Sequence, residues 1–526
     1  MQITPKAKMI LERYASLVTE RQNWESHWQD VADYMLPRKA DITKKRSKGD
    51  KRHELIFDGT ATHALELLAA SLHGMLTNTV SPWFYLKYKN DELNQEDEAM
   101  EWLEDCTRVL NQAFNRSNFQ QEIFELYHDL IAFGTAALFI SEDDENEIRF
   151  KNIHISEIFI TEDEKGNVDS LTRKFKMKAK NIYNAFPKVE LPPELAKKFN
   201  EAPHDNINII HSVYPSTEYG NNKYVSCYVH EDSGFLLSEK GFKEFPYAVP
   251  RYLKSSNETY GRSPAMNALP DVKMLNLMSK TSIKAAQKQI DPPLMVPDDG
   301  FMMPIRTVPG GLNYYRAGTR ERIEPLNIGA NNPVGIQMEE QRRDAIRQNF
   351  FVDQLLSVQG PQMTATEVIQ RNEEKMRILG PVLGRLQSEL LQPLITRCFN
   401  ILLRNNKFKE IPEFIGEQNI EIEYVSPLAK AQKAGDLQAL MRGIEIMGSL
   451  QNVAPVFDYL DTDNIVNHIK DVLGIPAKIL KSKGQVQKIR AEKEQQMMQQ
   501  QQAQQEMQAA EIANKAAPLA KVLGEE

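Results

Sequence analysis

The alternation of apolar and polar positions along the chain is most regular between residues 263 and 403, where two long helical repeats flank a stretch without helical period. The first repeat begins at Ser263-Pro264, an N-cap residue followed by proline at the first helical position. It ends before Asp291, which predicts a helix of about 40 Å with a kink at Pro270. Residues at helical spacing predict one packed face, made of Val272, Leu275, Ile283, Ala286 and Ile290.

Another side of this helix is basic. A narrow arc far from the packed face carries Lys273, Lys280, Lys284 and Lys288. Such a row suits either contact with phosphates or ion pairs with a neighbouring subunit. Acids for the second alternative lie on the next predicted helix and are Glu339, Glu340 and Asp344, while its basic residues Arg342, Arg343 and Arg347 leave the same two alternatives open.

Residues 291–333 lose the helical period and are rich in proline and glycine, which predicts a small β-containing excursion. A charged helix follows over residues 334–352. The chain then breaks at residues 353–362, a segment without basic residues that carries Leu355, Leu356 and Val358.

A long helix is predicted after this break. Thr364 and Glu367 have the spacing of a capping box, and apolar periodicity continues to Leu403, which predicts a helix of up to about forty residues. We expect bends at Gly380-Pro381 and near Pro393.

The N-terminal part reads as helices followed by a β-rich region. Amphipathic helices are predicted over residues 3–36 and from residue 60, with two more between residues 96 and 140 that include Leu138. The basic segment 38–52 suggests a solvated loop in preference to a DNA contact. Between residues 148 and 252 the period becomes two, with a hairpin turn at 165–167. The acids around that turn lack the spacing of a calcium loop.

The C-terminal part combines a predicted strand over residues 420–425 with helices up to residue 473. After residue 485 the chain is rich in glutamine, methionine and alanine, which favours helix but offers little apolar surface. This segment therefore packs against identical copies or stays disordered.

Composition describes an ordinary globular chain, with 41% apolar and 26% charged residues among 526. We find no apolar run of about 18 residues, and the first residues lack the apolar core of a signal peptide, so we expect no membrane span and a reducing cytoplasmic compartment. Three separated cysteines predict neither a disulfide framework nor a metal site. A net charge of −8 argues against a protein that grips DNA through a broad basic face.

Catalytic motifs are absent from the sequence. There is no phosphate-binding P-loop and no nucleophile elbow, and the His53-Glu54 and His230-Glu231 pairs lack a second histidine at metal spacing. Asp461 and Asp463 could form a nuclease-like carboxylate pair, but Asp463 is better explained as a helix N-cap. We expect no enzyme activity, no cofactor and no bound metal.

The order of these elements resembles the portal proteins of tailed double-stranded DNA bacteriophages. Trp28 to Pro37, Phe57-Asp-Gly-Thr-Ala61 and Ser81-Pro-Trp-Phe84 are similar to the short-tailed branch in particular. The resemblance implies an α+β, mainly helical fold with wing, stem, clip and crown, a C-terminal helical barrel in some members, and assembly as a ring. It assigns residues 1–262 to the N-terminal wing, 263–290 to stem helix 1, 291–333 to the clip, 334–352 to stem helix 2, 353–363 to the tunnel loop, 364–410 to a long kinked wing helix, 411–484 to the crown and 485–526 to a barrel helix or disordered tail.

The same resemblance implies function and partners. It predicts a homo-oligomer, a dodecamer in the family, that occupies one capsid vertex of the virion after synthesis in the host cytoplasm. Implied partners are double-stranded DNA without sequence specificity, the terminase large subunit, the major capsid protein, the scaffolding protein and tail adaptor proteins. The tunnel-loop candidates that would face the DNA are Leu355, Leu356, Ser357, Val358, Gln359 and Gly360. The competing interpretations are a phage scaffolding or tail-adaptor protein and, less favoured, a nuclease.

Overall fold

A computed structural model describes most of the chain as a mainly helical α+β protein. It divides into two compact units, the first made of residues 1–83, 110–406 and 426–428, and the second of residues 84–109, 407–425 and 429–526. The described residues are 3–45, 47, 49–78, 83–89, 93, 96–187, 189–217, 220, 222–296, 305, 314, 318, 323–326, 333–355, 377–412, 420–423, 427–450, 460–461, 464–466, 469 and 483–522.

The helices confirm much of the predicted pattern. Thr4 caps the first helix by accepting a hydrogen bond from the Ala7 amide, and Pro5 occupies its first turn. The helices are α1 Pro5–Met35, α2 Thr60–Leu76, α3 Asp97–Arg116, α4 Phe119–Phe133, α5 Ala179–Ala185, α6 Pro193–Glu201, α7 Pro264–Ile290, α8 Pro333–Asn349, α9 Val352–Leu355, α10 Gln392–Arg404, α11 Pro427–Leu450 and α12 Lys483–Val522.

Twelve strands are described. They are β1 Tyr85–Tyr88, β2 Ala137–Asp143, β3 Glu147–Ile153, β4 Ile158–Glu162, β5 Val168–Lys178, β6 Asn206–Pro215, β7 Tyr224–His230, β8 Leu236–Phe242, β9 Tyr247–Ala248, β10 Leu294–Met295, β11 Glu324–Pro325 and β12 Ile420–Glu423. In the first unit, β4 to β8 form an antiparallel meander in chain order, and β3, β2 and β9 form a smaller sheet. In the second unit, β1 and β12 pair antiparallel.

The meander confirms the predicted β-rich region and its hairpin. Gly166 sits in the turn with a φ of 80°, a value that favours glycine. The Asp163 carboxylate accepts hydrogen bonds from the Lys165 and Asn167 amides, at 2.9 and 2.8 Å. Asp163 therefore stabilises the predicted hairpin turn through backbone hydrogen bonds.

Both faces of the meander are covered by helices. On one face Ala7 and Ile10 of α1 pack against Ile210 and Val225, and all four are buried. On the other face the short helices α5 and α6 pack against the sheet, a layer that the sequence pattern did not reveal. The neighbours Ile209 and Ile210 are therefore both buried, because they point to opposite faces of the sheet and each face is covered by an apolar layer.

One predicted helix was wrong at its end. Leu138 was expected on a helix, but α4 stops at Phe133 and Leu138 lies in β2. Gly134 adopts a left-handed φ of 75°, and a side chain there would collide with the backbone of Gly261. The close approach ends the helix and turns the chain into the sheet.

The predicted basic loop is also different from expectation. Its first half, residues 38–45, is fastened to the body of the first unit and is not a freely solvated segment. The Gln29 side-chain oxygen accepts hydrogen bonds from the amides of Ile42, Thr43 and Lys44, at 3.2, 2.8 and 3.2 Å. Lys39 pairs with the buried Asp129 at 2.7 Å.

The long helix predicted over residues 364–410 is described from residue 377 onward. It passes through a π-helical turn at Gln387–Leu391, continues as α10 and ends at Arg404, next to Leu403, the last apolar position of the predicted pattern. The turn lies just before Pro393, where a bend was expected. Thr364, Glu367 and their capping-box prediction lie outside the described residues.

The predicted C-terminal elements are partly described. Strand β12 confirms the strand predicted at residue 420, and α11 begins earlier than the expected helix. The glutamine-rich segment forms α12, which continues through Pro518. The helices predicted between residues 453 and 473 lie mostly outside the described residues.

Candidate functional site

The two helices singled out by sequence form an antiparallel hairpin in the first unit. Arg342 late in α8 pairs with Asp271 early in α7 at 2.8 Å, whereas Glu339 nearer the start of α8 accepts from Ser282 further along α7 at 2.6 Å. Beyond both helices, the short strands β10 and β11 also pair antiparallel. The first helix begins and ends where predicted, but α8 ends at Asn349 and not at residue 352.

The base of the hairpin is fixed by capping and burial. The Ser263 hydroxyl accepts a hydrogen bond from the Met266 amide at 3.0 Å and donates one to the Ala132 carbonyl at 2.8 Å. One N-cap residue therefore starts α7 and attaches it to the end of α4. Val272 and Leu275 then pack into the core, each about 1% exposed.

A short segment before α2 bridges both helices of the hairpin. The Asn276 side-chain oxygen on α7 accepts a hydrogen bond from the Phe57 amide at 2.7 Å. On α8, Arg343 donates to the Asp58 carboxylate at 3.0 Å. The Phe57-Asp58 part of the motif noticed in the sequence is thus a joint between α7 and α8.

The distal half of the hairpin is exposed on the single subunit. Every residue of α7 from Lys280 to Ile290 is exposed, including Ile283 at 45% and Ile290 at 85%. The predicted packed face is therefore buried by this subunit at the base, and it is exposed on the single subunit beyond Ser279. The apolar face continues outward without a covering element in the described part of this subunit.

The predicted lysine row divides into two groups. Lys273 forms an ion pair with Asp30 of α1 at 2.7 Å, and Lys280 lies 5.1 Å from the centre of the Phe57 ring. Lys284 and Lys288 are exposed, and neither forms an ion pair with the described residues. The sequence placed all four in one group because the partners of the first two lie far away in the chain.

Lys280, Lys284 and Lys288, which we call the outer lysines, point away from α8. Ser282 contacts α8, and Lys280 and Lys284 each lie two residues from it, about 200° around the helix axis. The exposed lysine side is therefore on the opposite side of α7 from α8.

The three arginine candidates on α8 form ion pairs within the chain. Arg342 binds Asp271, Arg343 binds Asp58 and Glu339, and Arg347 binds Asp344 at 2.9 Å. Hydrogen bonds from Arg343 and Arg347 lower the pKa of the Glu340 carboxyl below its usual value. Glu339, Glu340 and Asp344, which the sequence offered as partners for a neighbour's lysines, thus already form ion pairs with arginines of their own chain.

The tunnel-loop candidates are described only at their beginning. Phe351 has a φ of 58°, which is unusual for an aromatic residue and ends α8. Leu355 is the last residue of α9. Leu356, Ser357, Val358, Gln359 and Gly360 lie outside the described residues.

The carboxylate pair Asp461 and Asp463, which the sequence offered as a nuclease-like site, is described only at Asp461. The Asp461 carboxylate accepts a hydrogen bond from the Asn464 amide at 3.1 Å, so Asp461 caps the turn that Asp463 was expected to cap. Asp463 itself lies outside the described residues. Within the described ranges, no three His, Cys, Asp or Glu side chains come close enough together to hold a metal ion. A search of the same residues finds no helix that is both long and apolar enough to cross a membrane.

An ion-paired helical hairpin, anchored at its base and exposed at its end, is typical of a structural protein that assembles through its helices. Comparison with known proteins makes this class specific. The family model for the bacteriophage head to tail connecting protein matches residues 7–480, and the chain belongs to this family.

Curated relatives agree over nearly the whole length. The chain is 32% identical over 537 residues to the probable portal protein of Bordetella phage BPP-1 and 30% identical over 534 residues to the portal protein of Salmonella phage epsilon15, covering 98% of this chain and 95% of each relative. It is 21% identical over 520 residues to the portal protein of Escherichia phage T7, covering 93% of this chain and 91% of that protein. The chain is therefore a head-to-tail connector of the portal type and not an enzyme, and the scaffold and nuclease alternatives are not favoured.

Proposed function

We propose that this connector assembles as a closed ring of identical subunits, twelve as in the resembling family, and that the ring conducts double-stranded DNA at one capsid vertex. The observation that carries the proposal is the α7–α8 hairpin, whose outer half presents an apolar side and a lysine side that the described residues of its own subunit leave exposed.

The apolar side supports the ring. Ile283 and Ile290 of α7 are 45% and 85% exposed, although they lie on the face of that helix that is buried at the base. On α8, Val334 and Ile336 are 62% and 69% exposed. Contiguous exposed apolar residues mark interaction surfaces. If adjacent copies cover these residues through one repeated head-to-tail contact, rotation closes the assembly into a ring.

The lysine side supports a DNA channel. In a ring, the copies of Lys284 form one circle of ammonium groups and the copies of Lys288 form another. Neither lysine forms an ion pair with the described residues of its own subunit. Dispersed positive charge screens phosphate repulsion without reading bases, so passage is sequence-blind and salt-dependent. Arg342 instead joins α8 to α7, Arg343 joins α8 to Asp58, and Arg347 forms its ion pairs within α8. Lys273 attaches α7 to α1.

The wider assembly follows from the resemblance. Residues 291–333 are the proposed clip that docks the terminase large subunit, and tail adaptor proteins bind there after packaging. The capsid and scaffolding proteins contact the proposed wing, residues 1–262 with the helix that follows residue 364. The loop over residues 353–362, with Leu355, Leu356 and Val358, is the proposed apolar constriction around DNA.

Negative-stain imaging of the purified chain tests the proposal. We expect annular particles with a central hole of at least about 20 Å, wide enough for B-DNA. Class averages give the subunit number. Particles that remain monomers or elongated dimers under every assembly condition would contradict the ring and restore the scaffold alternative.

A further inference from the structure

A recess beside α1 in the first unit lies apart from the hairpin. It has a volume of about 220 Å³, enough for a side chain or a small organic molecule. Its walls come from α1, from the end of β4 and from the loop that precedes α7. The residues that line it are Leu17, Glu20, Trp24, Ile160, Asn257, Glu258, Thr259 and Tyr260.

The inner part of the recess is apolar and fixed. Leu17, Ile160 and Tyr260 are 6%, 2% and 5% exposed. The Tyr260 ring lies 5.8 Å from the Trp24 ring and 5.2 Å from the Trp28 ring. These packed side chains make a preformed surface for an apolar or aromatic-binding group.

The outer part is acidic. Glu20 and Glu258 both line the recess, and no lysine, arginine or histidine is among its described lining residues. Glu20 accepts a hydrogen bond from Ser16 at 3.4 Å, but the described residues offer it no ion pair. Because Glu258 pairs with Arg262, Glu20 supplies the negative charge of the rim, and a carboxylate beside an aromatic wall attracts a cation that carries an apolar stem.

The chain itself shows this chemistry at the edge of the recess. The Arg262 guanidinium lies 4.6 Å from the centre of the Trp24 ring, and its Nε donates to Glu258 at 2.9 Å. One aromatic ring and one carboxylate of the recess therefore already bind a guanidinium. Glu20 supplies a second carboxylate, which Arg262 does not bind.

We propose that the recess is a binding site for a guanidinium or primary ammonium group on a short apolar stem. The stem contacts Leu17, Ile160 and Tyr260, and the cation lies between Trp24 and the Glu20 carboxylate. Free small cations and a basic side chain of a second copy share this chemistry. The site does not depend on the DNA channel.

Saturation-transfer NMR on the full chain with propylguanidinium tests the site. We expect saturable binding of propylguanidinium and at least about fivefold weaker binding of its neutral isostere propylurea, because only the cation gains the carboxylate and ring attraction. Glu20→Gln should weaken propylguanidinium binding by about fivefold. Glu12→Gln, which removes the same charge from an exposed position of the same helix, should leave it unchanged.

Equal binding of the two probes, or equal binding by the wild type and the Glu20→Gln variant, would overturn the site. Analytical ultracentrifugation then separates the two sources. If a second copy supplies the cation, both propylguanidinium and Glu20→Gln weaken self-association, and Glu12→Gln does not. If self-association is unaffected while the probe still binds, the natural ligand is a free cation.

Discussion

Arg343 and Asp58 form an ion pair across 285 residues of chain, with 3.0 Å between Nε and Oδ2. The pair ties the start of α2 to α8, while the adjacent Phe57 amide binds Asn276 on α7. Both helices of the hairpin are therefore bound by one dipeptide, Phe57-Asp58.

Loss of this pair should destabilise the hairpin base. Burial raises the pKa of the Asp58 carboxyl, but hydrogen bonds from Thr60 and the Arg343 guanidinium outweigh it and hold the pKa below its usual value. We expect Asp58→Asn to lower the free energy of unfolding by about 2 kcal/mol, measured by urea denaturation at neutral pH. Asp344→Asn, an exposed partner of Arg347, should cost under about 0.5 kcal/mol.

The same pair predicts a pH dependence. Because the folded pKa of Asp58 is lowered, its stabilisation is present above the unfolded value of about 3.9 and is lost as the pH falls through the folded value. The difference in stability between wild type and Asp58→Asn should therefore shrink below about pH 4. A difference that stays constant down to pH 2.5, about 1.4 units below that value, would refute this assignment.

A second pH effect comes from the meander. His211 is stacked on Tyr228 with ring centres 4.0 Å apart, and its nitrogens bind Ser226 and Tyr247. Burial lowers the pKa of His211 to about 3. The unfolded chain therefore takes up a proton that the folded chain does not.

Because the folded pKa of His211 is lowered, its contribution to stability is complete above the unfolded pKa of about 6.5. Below that pH the free energy of unfolding should fall by about 1.4 kcal/mol per pH unit. Urea denaturation of the wild type at pH 7 and pH 5 should show this loss. In His211→Gln, which is less stable at pH 7, the loss over the same interval should be smaller by about 2 kcal/mol. Equal pH slopes would contradict the prediction.

The outer lysines should act on DNA passage and leave assembly intact. We expect Lys280, Lys284 and Lys288 replaced together by alanine to form normal rings but to package DNA more slowly, with a weaker salt dependence. Packaging assays at two salt concentrations measure this. The triple arginine variant, which keeps the charge, should package normally. Loss of rings in the alanine variant would instead place these lysines at the subunit interface.

The exposed apolar side should act on assembly. Ile336→Glu places a charge where Ile336 is 69% exposed, so the subunit should fold with unchanged stability but fail to form rings. Sedimentation velocity and urea denaturation measure the two properties. Tyr183→Glu, at a position of α5 that is 38% exposed, serves as the control and should assemble normally. Rings from Ile336→Glu would exclude this side from the interface.

The fastened part of the basic loop can be released by one substitution. Gln29→Leu removes the oxygen that binds three consecutive amides, so hydrogen exchange at Ile42, Thr43 and Lys44 should speed up by at least about tenfold. The Gly166 and Asn167 amides of the hairpin provide an internal reference. Unchanged exchange at residues 42–44 would mean that the Lys39 and Lys44 ion pairs are sufficient.

Local signals explain which features the sequence predicts well. Ser263 and Pro264 determine the start of α7 through neighbouring atoms alone, and the turn at Gly166 needs only residues 163–167. The end of α4 depends on the approach of Gly261 to Gly134, a contact across more than a hundred residues, so periodicity alone extended that helix too far.

The candidate site shows the same limit. Helical spacing places Lys273 with Lys284 and Lys288, but its partner Asp30 lies 243 residues away and cannot be seen from the pattern. The exposed Ile283 was predicted as packed because its spacing is that of a buried residue. The spacing of apolar residues indicates which face of a helix is buried in a contact, and it does not indicate whether that contact is made by the same subunit.

The π-helical turn before α10 contains one residue more than a regular α-helical turn. Its closing hydrogen bond runs from the Gln392 amide to the Gln387 carbonyl, one residue further back than in an α-helix. Within this turn Glu389 reaches back to the buried Arg251, with 2.7 Å between the charged groups. Removing one residue from this turn would restore a regular helix but rotate everything before it by about 100° relative to α10. The extra residue of this turn therefore sets the rotation of the helix that begins at residue 377 relative to α10, while Glu389 within the turn stays bound to Arg251.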